Sequence, residues 1–269
     1  MYETKYHRAP SVEAAARLMS EAEDGKFLAG GMTLIPTMKQ RLASPSDVID
    51  LRRIEAMKGI AINGRTVRIG AATTHYDVSI NEELAKVCPA IVSLAAHIGD
   101  PQVRNMGTIG GSIANNDPAA DYPSSMLALN ATIITNERSI PASDFFVGLF
   151  ETALEPGEII TAVEFIAPDR AAYKKFPNPA SLYAMAGVFV ARSGDVIRVA
   201  VTGAGENGVF RLIDAEAALA SNFSPMALDS LVVKPDGLLS DMHASADYRA
   251  NLVKVMAKRA IAEIANRPM

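Results

Sequence analysis

Between Gly99 and Pro123 the chain reads GDPQVRNMGTIGGSIANNDPAADYP, a spelling that excludes an ordinary core helix or strand. It holds two acid-proline pairs, Asp100-Pro101 and Asp117-Pro118, a Gly110-Gly111 pair, and Asn115, Asn116 and Asp121. Only Ile109 and Ile113 supply bulky aliphatic groups around the glycines. Adjacent glycines remove two Cβ atoms, permit positive φ and let peptide N–H groups approach an anion closely. The competing reading is a surface turn with a helix cap, Asp117 as N-cap and Pro118 at the first helical position.

A second glycine pair lies upstream, in AGGMTLIPTMKQR at Ala29 to Arg41. The expected order there is strand, Gly30-Gly31, Thr33, then helix. That order presents N–H groups and a hydroxyl to a pyrophosphate, with a ligand-free tight turn as the alternative. Lys39 and Arg41 follow on the expected helix as phosphate or partner contacts or as solvated charges.

The surrounding pattern supplies a frame. Ser11 is placed to cap an Ala-rich helix that Gly25 ends, and DVIDL at 47–51 reads as a strand. Asn63-Gly64 between alternating apolar runs predicts a type I′ hairpin. Residues 77–98 read as helical with a break at Cys88-Pro89, and SSMLALN as a helix before the strand ATIITN. SIPASDFF leads into a helix ending near EPGE, EIITAVEFIAP is a strand, and Pro168 to Arg170 marks a boundary. Beyond it come two strands around Ser193-Gly194-Asp195, a helix at IDAEAALAS and a last helix with Leu252, Val255, Met256 and Ile261 on one face. This order suggests an α+β unit.

Composition narrows the function classes. Of 269 residues 49% are hydrophobic, enough for one large or two medium cores. The net charge of −4, without a basic cluster, gives no nucleic-acid signature, and the absence of Trp removes the best stacking side chain for single strands. One cysteine, Cys88, excludes an internal disulfide and a self-contained iron–sulfur or Cys-rich zinc site. No apolar run suits membrane insertion, and a cytoplasmic location is expected. His75 and His97 lie in no HxxxH or HExxH pattern and read as hydrogen-bonded structural histidines, with His75 beside the ligand of the glycine loops as the alternative. GAGENG at Gly203 to Gly208 fits GxGxxG after a strand, but VFRLI continues as a strand-like piece where a helix should open, so it is read as a turn.

TIGGSIANNDPAADYP and AGGMTLIPTMKQR together resemble the paired flavin-binding signatures of the FAD-carrying medium subunit of molybdenum hydroxylases, the xanthine dehydrogenase and carbon monoxide dehydrogenase group. The resemblance implies an α+β fold: a two-subdomain FAD-binding domain of the vanillyl-alcohol oxidase (PCMH) type at 1–168, divided at about 57/58, and a small α+β C-terminal domain at 169–269. It implies FAD contacts from Leu28, Ala29, Gly30, Gly31, Met32, Thr33 and Leu34 in a first loop. Thr108, Ile109, Gly110, Gly111 and Ser112 form the second, with Ser112 replacing the more usual Asn or Asp. Thr33, Thr108 and Ser112 would give hydroxyl hydrogen bonds, and Asp121 would accept one from a ribityl or ribose hydroxyl. Ile98 and Ile160 would form a dry wall, and Lys175 and Tyr183 would contact the cofactor, with Pro177 and Pro179 departing from the pattern between them. Arg104 is left between phosphate and an acidic partner.

The implied function is oxidoreductase electron transfer, the chain itself supplying no catalytic residue and no metal ligand. FAD is carried here, with the molybdopterin cofactor on a molybdenum-binding large subunit and two-iron two-sulfur clusters on an iron–sulfur small subunit. The expected assembly is a dimer of heterotrimers, and NAD, a quinone, oxygen or another carrier is the acceptor. A stand-alone flavin oxidoreductase of the same fold is the alternative, and a scaffold that has lost FAD is a third.

Overall fold

The computed structural model describes residues 1–266. The chain opens with β1 (Lys5–Arg8), α1 (Val12–Glu21), β2 (Gly25–Leu28), α2 (Leu34–Lys39) and β3 (Asp47–Asp50), the strands forming a parallel sheet in the order β1-β3-β2. Ser11 caps α1 through its hydroxyl, which accepts from Ala14 N–H at 3.2 Å. Gly25 does not end that helix: α1 stops at Glu21 and Gly25 begins β2, because the Ala22 backbone already turns extended.

β4 (Ile60–Asn63) and β5 (Thr66–Gly70) form the expected hairpin. Its two central residues are Gly64 and Arg65, since Asn63 pairs with Thr66. Of these only Gly64 has positive φ, at 60°, so the turn is not type I′, which needs both central residues there. Three short helices follow, α3 (His75–Ser79), α4 (Glu82–Val87) and α5 (Pro89–Ala96). Then come α6 (Pro101–Met106), α7 (Ile109–Asn115), α8 (Tyr122–Ala128), β6 (Thr132–Thr135), β7 (Ser139–Pro141) and the single turn α9 (Ala142–Phe145). Instead of a helix to EPGE, β8 (Phe146–Gly148) and β9 (Glu151–Thr152) make a small hairpin, and β10 (Ile160–Ile166) completes an antiparallel sheet ordered β4-β5-β10-β6-β7.

β11 (Arg170–Pro177), β12 (Ala184–Ser193), β13 (Val196–Thr202) and β14 (Phe210–Arg211) make a third, antiparallel sheet, followed by α10 (Ile213–Ser221) and α11 (Ala246–Asn266). Side chains alternate between the faces of a strand, and this sheet uses both. Tyr173, Phe189, Ala191 and Ala200 join the core built on the first two sheets. Ala172, Val188, Val190, Val199 and Val201 pack with Leu252, Val253, Met256 and Ile261 of α11. A strand covered on both faces reads as an unbroken apolar run, which is how β12 is spelled and why it is buried from Ala184 to Ala191. GAGENG lies in the turn between β13 and β14, with Gly203 at φ 80° and Gly208 at φ 93°.

Candidate functional site

The two glycine pairs meet. A cavity of about 560 Å³ opens between the first loop, the α6–α7 turn and the inner edge of the second sheet. Such a volume lies within the range of about 300–1,000 Å³ common to small-molecule and cofactor sites. Leu28, Ala29, Gly30, Gly31, Met32, Thr33, Leu34, Ile98, Thr108, Gly110, Gly111, Ser112, Asp121, Ile160 and Tyr183 all line it. Ile109 and Lys175 do not. Ile109 is fully buried in the core, on the side of α7 away from the cavity. Lys175 is held behind the cavity wall by Asp121.

The two jaws differ in chemistry. In the first loop, the peptide N–H groups from Ala29 to Leu34 donate to no acceptor among the described residues, while Gly31 and Thr33 carbonyls start α2 by accepting from Ile35 and Thr37. Gly31 has φ 74°, the left-handed conformation that favours glycine. In the second jaw the N–H groups are already used: Ile109 donates to Thr73 O, Gly110 to Ala71 O, Gly111 to the Thr108 hydroxyl and Ser112 to Thr108 O. The second glycine pair therefore does not present N–H groups to an anion, as the sequence suggests, and neither glycine has positive φ. Gly110 is needed for another reason. Residues 71–75 run antiparallel beside 107–110, and a Cβ on Gly110 would lie 2.5 Å from Ala71 Cβ and 2.8 Å from its carbonyl oxygen. Open N–H donors in one jaw, hydroxyls of Thr108 and Ser112 in the other and apolar walls from Ile98 and Ile160 fit a dinucleotide with an anionic centre.

Asp117 and Pro118 do not cap a helix. Asp117 Oδ1 accepts from Ala119 N–H at 2.8 Å in a tight turn, and burial pushes its carboxyl up. α8 starts later, at Tyr122. β13 clamps this turn: Thr202 Oγ1 donates to Ala120 O at 2.5 Å, and Gly203 N–H to Pro118 O at 2.8 Å. Asp121, 5% exposed, accepts from the Tyr173 hydroxyl and from Lys175 Nζ, 3.0 Å from Oδ1 and 3.1 Å from Oδ2. Lys175 also donates to His97 O at 2.7 Å. Burial pushes the Asp121 carboxyl up, and the Lys175 charge and Tyr173 hydroxyl pull it down only in part.

Arg104 donates from Nη1 to Ile98 O at 2.9 Å and Gly99 O at 3.0 Å, fixing the end of α5 and with it the Ile98 wall. Arg41 lies past α2, over the Tyr2 ring. Tyr183 is half exposed at the cavity mouth, and burial, then the charges of Asp117 and Asp121, raise its hydroxyl pKa. Asn116 carried no role in the sequence reading beyond its place in the loop. At φ 42° it ends α7, and its Nδ2 donates to Gly148 O and Glu151 O, both at 2.8 Å, pinning the β8–β9 hairpin. A left-handed Asn after a helix is a known stop signal. His97 is a hydrogen-bonded structural histidine, Nδ1 lying 2.6 Å from Ser93 O. His75 is not: its imidazole makes no hydrogen bond among the described residues, and it lines the cavity.

Glu158, also on the cavity lining, escaped the sequence reading because its side-chain partners lie at the β6–β7 turn, 20 or more residues away. Arg138 grips both carboxylate oxygens at 3.0 Å, Glu155 N–H donates at 2.8 Å and the Thr135 hydroxyl at 2.7 Å. Arg138 above all holds this carboxyl at about 2, below its ordinary 4.5. A depressed carboxylate adds stability above its unfolded value, and that stability is lost as pH falls toward the folded one. Glu158→Gln is therefore expected to be less stable than the parent at pH 7, with the gap closing between pH 4.5 and about 2. Urea unfolding across that range checks it; a gap that stays constant with pH contradicts the assignment.

Known proteins resemble this chain along nearly its whole length. Residues 2–166 match the family model described as the FAD binding domain in molybdopterin dehydrogenase. The chain is 37% identical to the nicotine 6-hydroxylase medium subunit of Paenarthrobacter nicotinovorans, over 98% of each chain. It is 35% identical to the carbon monoxide dehydrogenase medium chain of Afipia carboxidovorans, over 95% of this chain and 94% of that one. A chain of reconstituted CO dehydrogenase from Oligotropha carboxidovorans superposes with a TM-score of 0.90 at 35% identity, covering 99% of both. No helix among the described residues is long and apolar enough to cross a membrane. With an α+β fold, a cavity suited to a dinucleotide and full-length relatives of this kind, the chain belongs to the FAD-binding family of the molybdopterin dehydrogenases, as an oxidoreductase flavoprotein of the molybdenum hydroxylase medium-subunit type.

Proposed function

We propose that this chain is the electron-transfer subunit of a heteromeric molybdenum hydroxylase, holding FAD in the cavity between its two glycine loops. The observation that carries the reading is the row of uncommitted N–H groups from Ala29 to Leu34 at the edge of that cavity, suited to the FAD pyrophosphate. Thr33, Thr108 and Ser112 add hydroxyls. Gly111 packs closely between the jaws, where an added Cβ would lie 3.0 Å from the Thr108 hydroxyl oxygen and 3.4 Å from the Ala29 methyl. Ile98 and Ile160 keep water from the ring, and Tyr183 covers the mouth. Asp121 offers its remaining acceptor capacity to a sugar or ribityl hydroxyl, while Lys175 acts through Asp121.

Bound FAD supplies the redox chemistry; the protein supplies binding, orientation and electrostatics. Electrons arrive from two-iron two-sulfur clusters on an iron–sulfur small subunit, after a molybdenum-binding large subunit has oxidised the substrate, and leave to an external acceptor. Two copies of the three-subunit unit make the assembly, in the cytoplasm, and residues 1–168 and 169–269 are its FAD-binding and C-terminal domains. Purification from the native source should yield two further chains, molybdenum and iron, together with one flavin per copy of this chain. A lone chain that turns over a small substrate without molybdenum overturns the assembly. A chain that takes up no FAD on reconstitution, read as absorbance near 450 nm, overturns the site.

A further inference from the structure

His75 lines the cavity, and the flavin site leaves its imidazole unused. Its ring is 5% exposed, Nδ1 is sealed from solvent without a partner, and no hydrogen bond reaches the imidazole from the described residues. Yet the position is built to receive a ring. His75 N–H donates to Gly107 O at 3.0 Å, and a Cβ on Gly107 would lie 2.6 Å from Nε2. Gly107 is thus open on the side where the imidazole rests. Gly30 packs on the same residue, since a Cβ there would lie 2.6 Å from Gly107 Cα. The Tyr122 ring restrains the imidazole from another side, centroids 5.3 Å apart. One glycine layer therefore separates His75 from the loop with the open N–H groups.

A buried polar group without a partner carries a desolvation cost unless a ligand or water satisfies it. Burial pushes the imidazole down to about 4, so the ring is neutral at pH 7 and has one proton to place. Nδ1 is sealed without an acceptor, so a proton there would be stranded; Nε2 is not sealed, so a proton there can be satisfied from the cavity that His75 lines.

We propose that His75 is a further cofactor-binding residue, a neutral imidazole that donates from Nε2 to an oxygen of the diphosphate–sugar stretch of FAD. The inference rests on FAD occupying this cavity. It makes His75 a positioning donor that joins the two loops, chosen over a cation because a neutral ring adds direction without adding charge beside the flavin.

The test uses the full chain, FAD titration followed by flavin fluorescence, and nitrogen-15 spectra of the histidines with and without FAD. His75→Phe keeps a ring of similar size and removes the donor; it is expected to weaken FAD binding roughly three- to tenfold, the value of one neutral hydrogen bond. His75→Gln, which restores an N–H donor, is expected to recover most of that loss. In the parent chain the His75 Nε2–H signal is expected to move on FAD addition while the ring stays neutral. Equal FAD affinity for the parent and His75→Phe, or nitrogen signals of His75 unchanged by FAD, overturns the proposal and leaves the flavin site standing. Failure of the parent chain to bind FAD overturns the site and this inference with it. If His75→Phe does not fold, the spectra of the parent decide.

Discussion

Gly30→Ala is expected to empty the flavin site. The new Cβ would lie 2.2 Å from Met106 O, 2.7 Å from Met106 C and 2.6 Å from Gly107 Cα, all of them backbone atoms. A flexible side chain can swing aside, but two backbones must separate, and overpacking of this kind costs about 1–3 kcal/mol. If about 3 kcal/mol falls on the arrangement that binds cofactor, affinity drops on the order of 100-fold. Gly31→Ala is the control. Its Cβ meets Ile35 Cγ1 at 2.9 Å and Leu28 Cδ1 at 3.1 Å, side chains that can yield, so its main penalty is the left-handed φ of 74°. That costs about 1 kcal/mol, nearer fivefold. Flavin stoichiometry after reconstitution, with circular dichroism to confirm folding, compares them. A folded Gly30→Ala chain that retains FAD as well as the parent refutes the close packing of the two loops.

Lys175→Met is expected to cost the most stability of any single polar change at the site. The Lys175 and Asp121 side chains are each 5% exposed, and losing the ammonium leaves a buried carboxylate with Tyr173 as its remaining hydrogen-bond donor. Removing one partner of a buried pair costs about 3–5 kcal/mol. Methionine keeps the volume, so the loss is electrostatic. The Asp121 carboxyl is shifted in the opposite direction from that of Glu158, although the deficit of the variant shrinks on acidification in both cases. Burial holds the Asp121 carboxyl above its ordinary 3.8, so its ionised form costs stability at neutral pH, and that cost vanishes below the unfolded value. The Lys175→Met deficit should therefore be greatest near pH 7 and shrink on acidification, and Asp121→Asn in the same chain should recover part of it. Thermal unfolding of the parent, both single variants and the double variant closes the cycle. A Lys175→Met chain as stable as the parent at pH 7, or a double variant no better than it, contradicts the account.

Much of the frame is legible because local chemistry spells it. Ser11 caps a helix with its own hydroxyl, Asp100 and Pro101 start another, and the apolar runs on either side of Ser193-Gly194-Asp195 announce the β12–β13 hairpin. The errors share a physical cause. Gly25, the Asn63-Gly64 turn and Asp117-Pro118 are residues whose local preference suits two outcomes, and for Asp117-Pro118 a strand distant in sequence chose between them. Asp117 could have begun a helix, but β13 takes the carbonyls of Pro118 and Ala120 and holds the segment as a turn. Glu158, Asn116 and His75 gave weaker signals still, since their significance lies in partners 20 or more residues away, or in the want of one.

The sequence by itself determined an α+β frame with two glycine loops, because glycine pairs, acid-proline pairs and apolar periodicity are local instructions, and its resemblance to a flavin-binding family implied the cofactor. Only the tertiary structure decided what each loop does. Which peptide N–H groups stay open depends on which are already taken, and residues 71–75, far from either glycine pair in the chain, take those beside the second loop and leave the first free. The second glycine pair, whose spelling first suggested an anion site, serves with Gly107 to bring two backbones together. Ala29 to Leu34 are the residues whose N–H groups stay open.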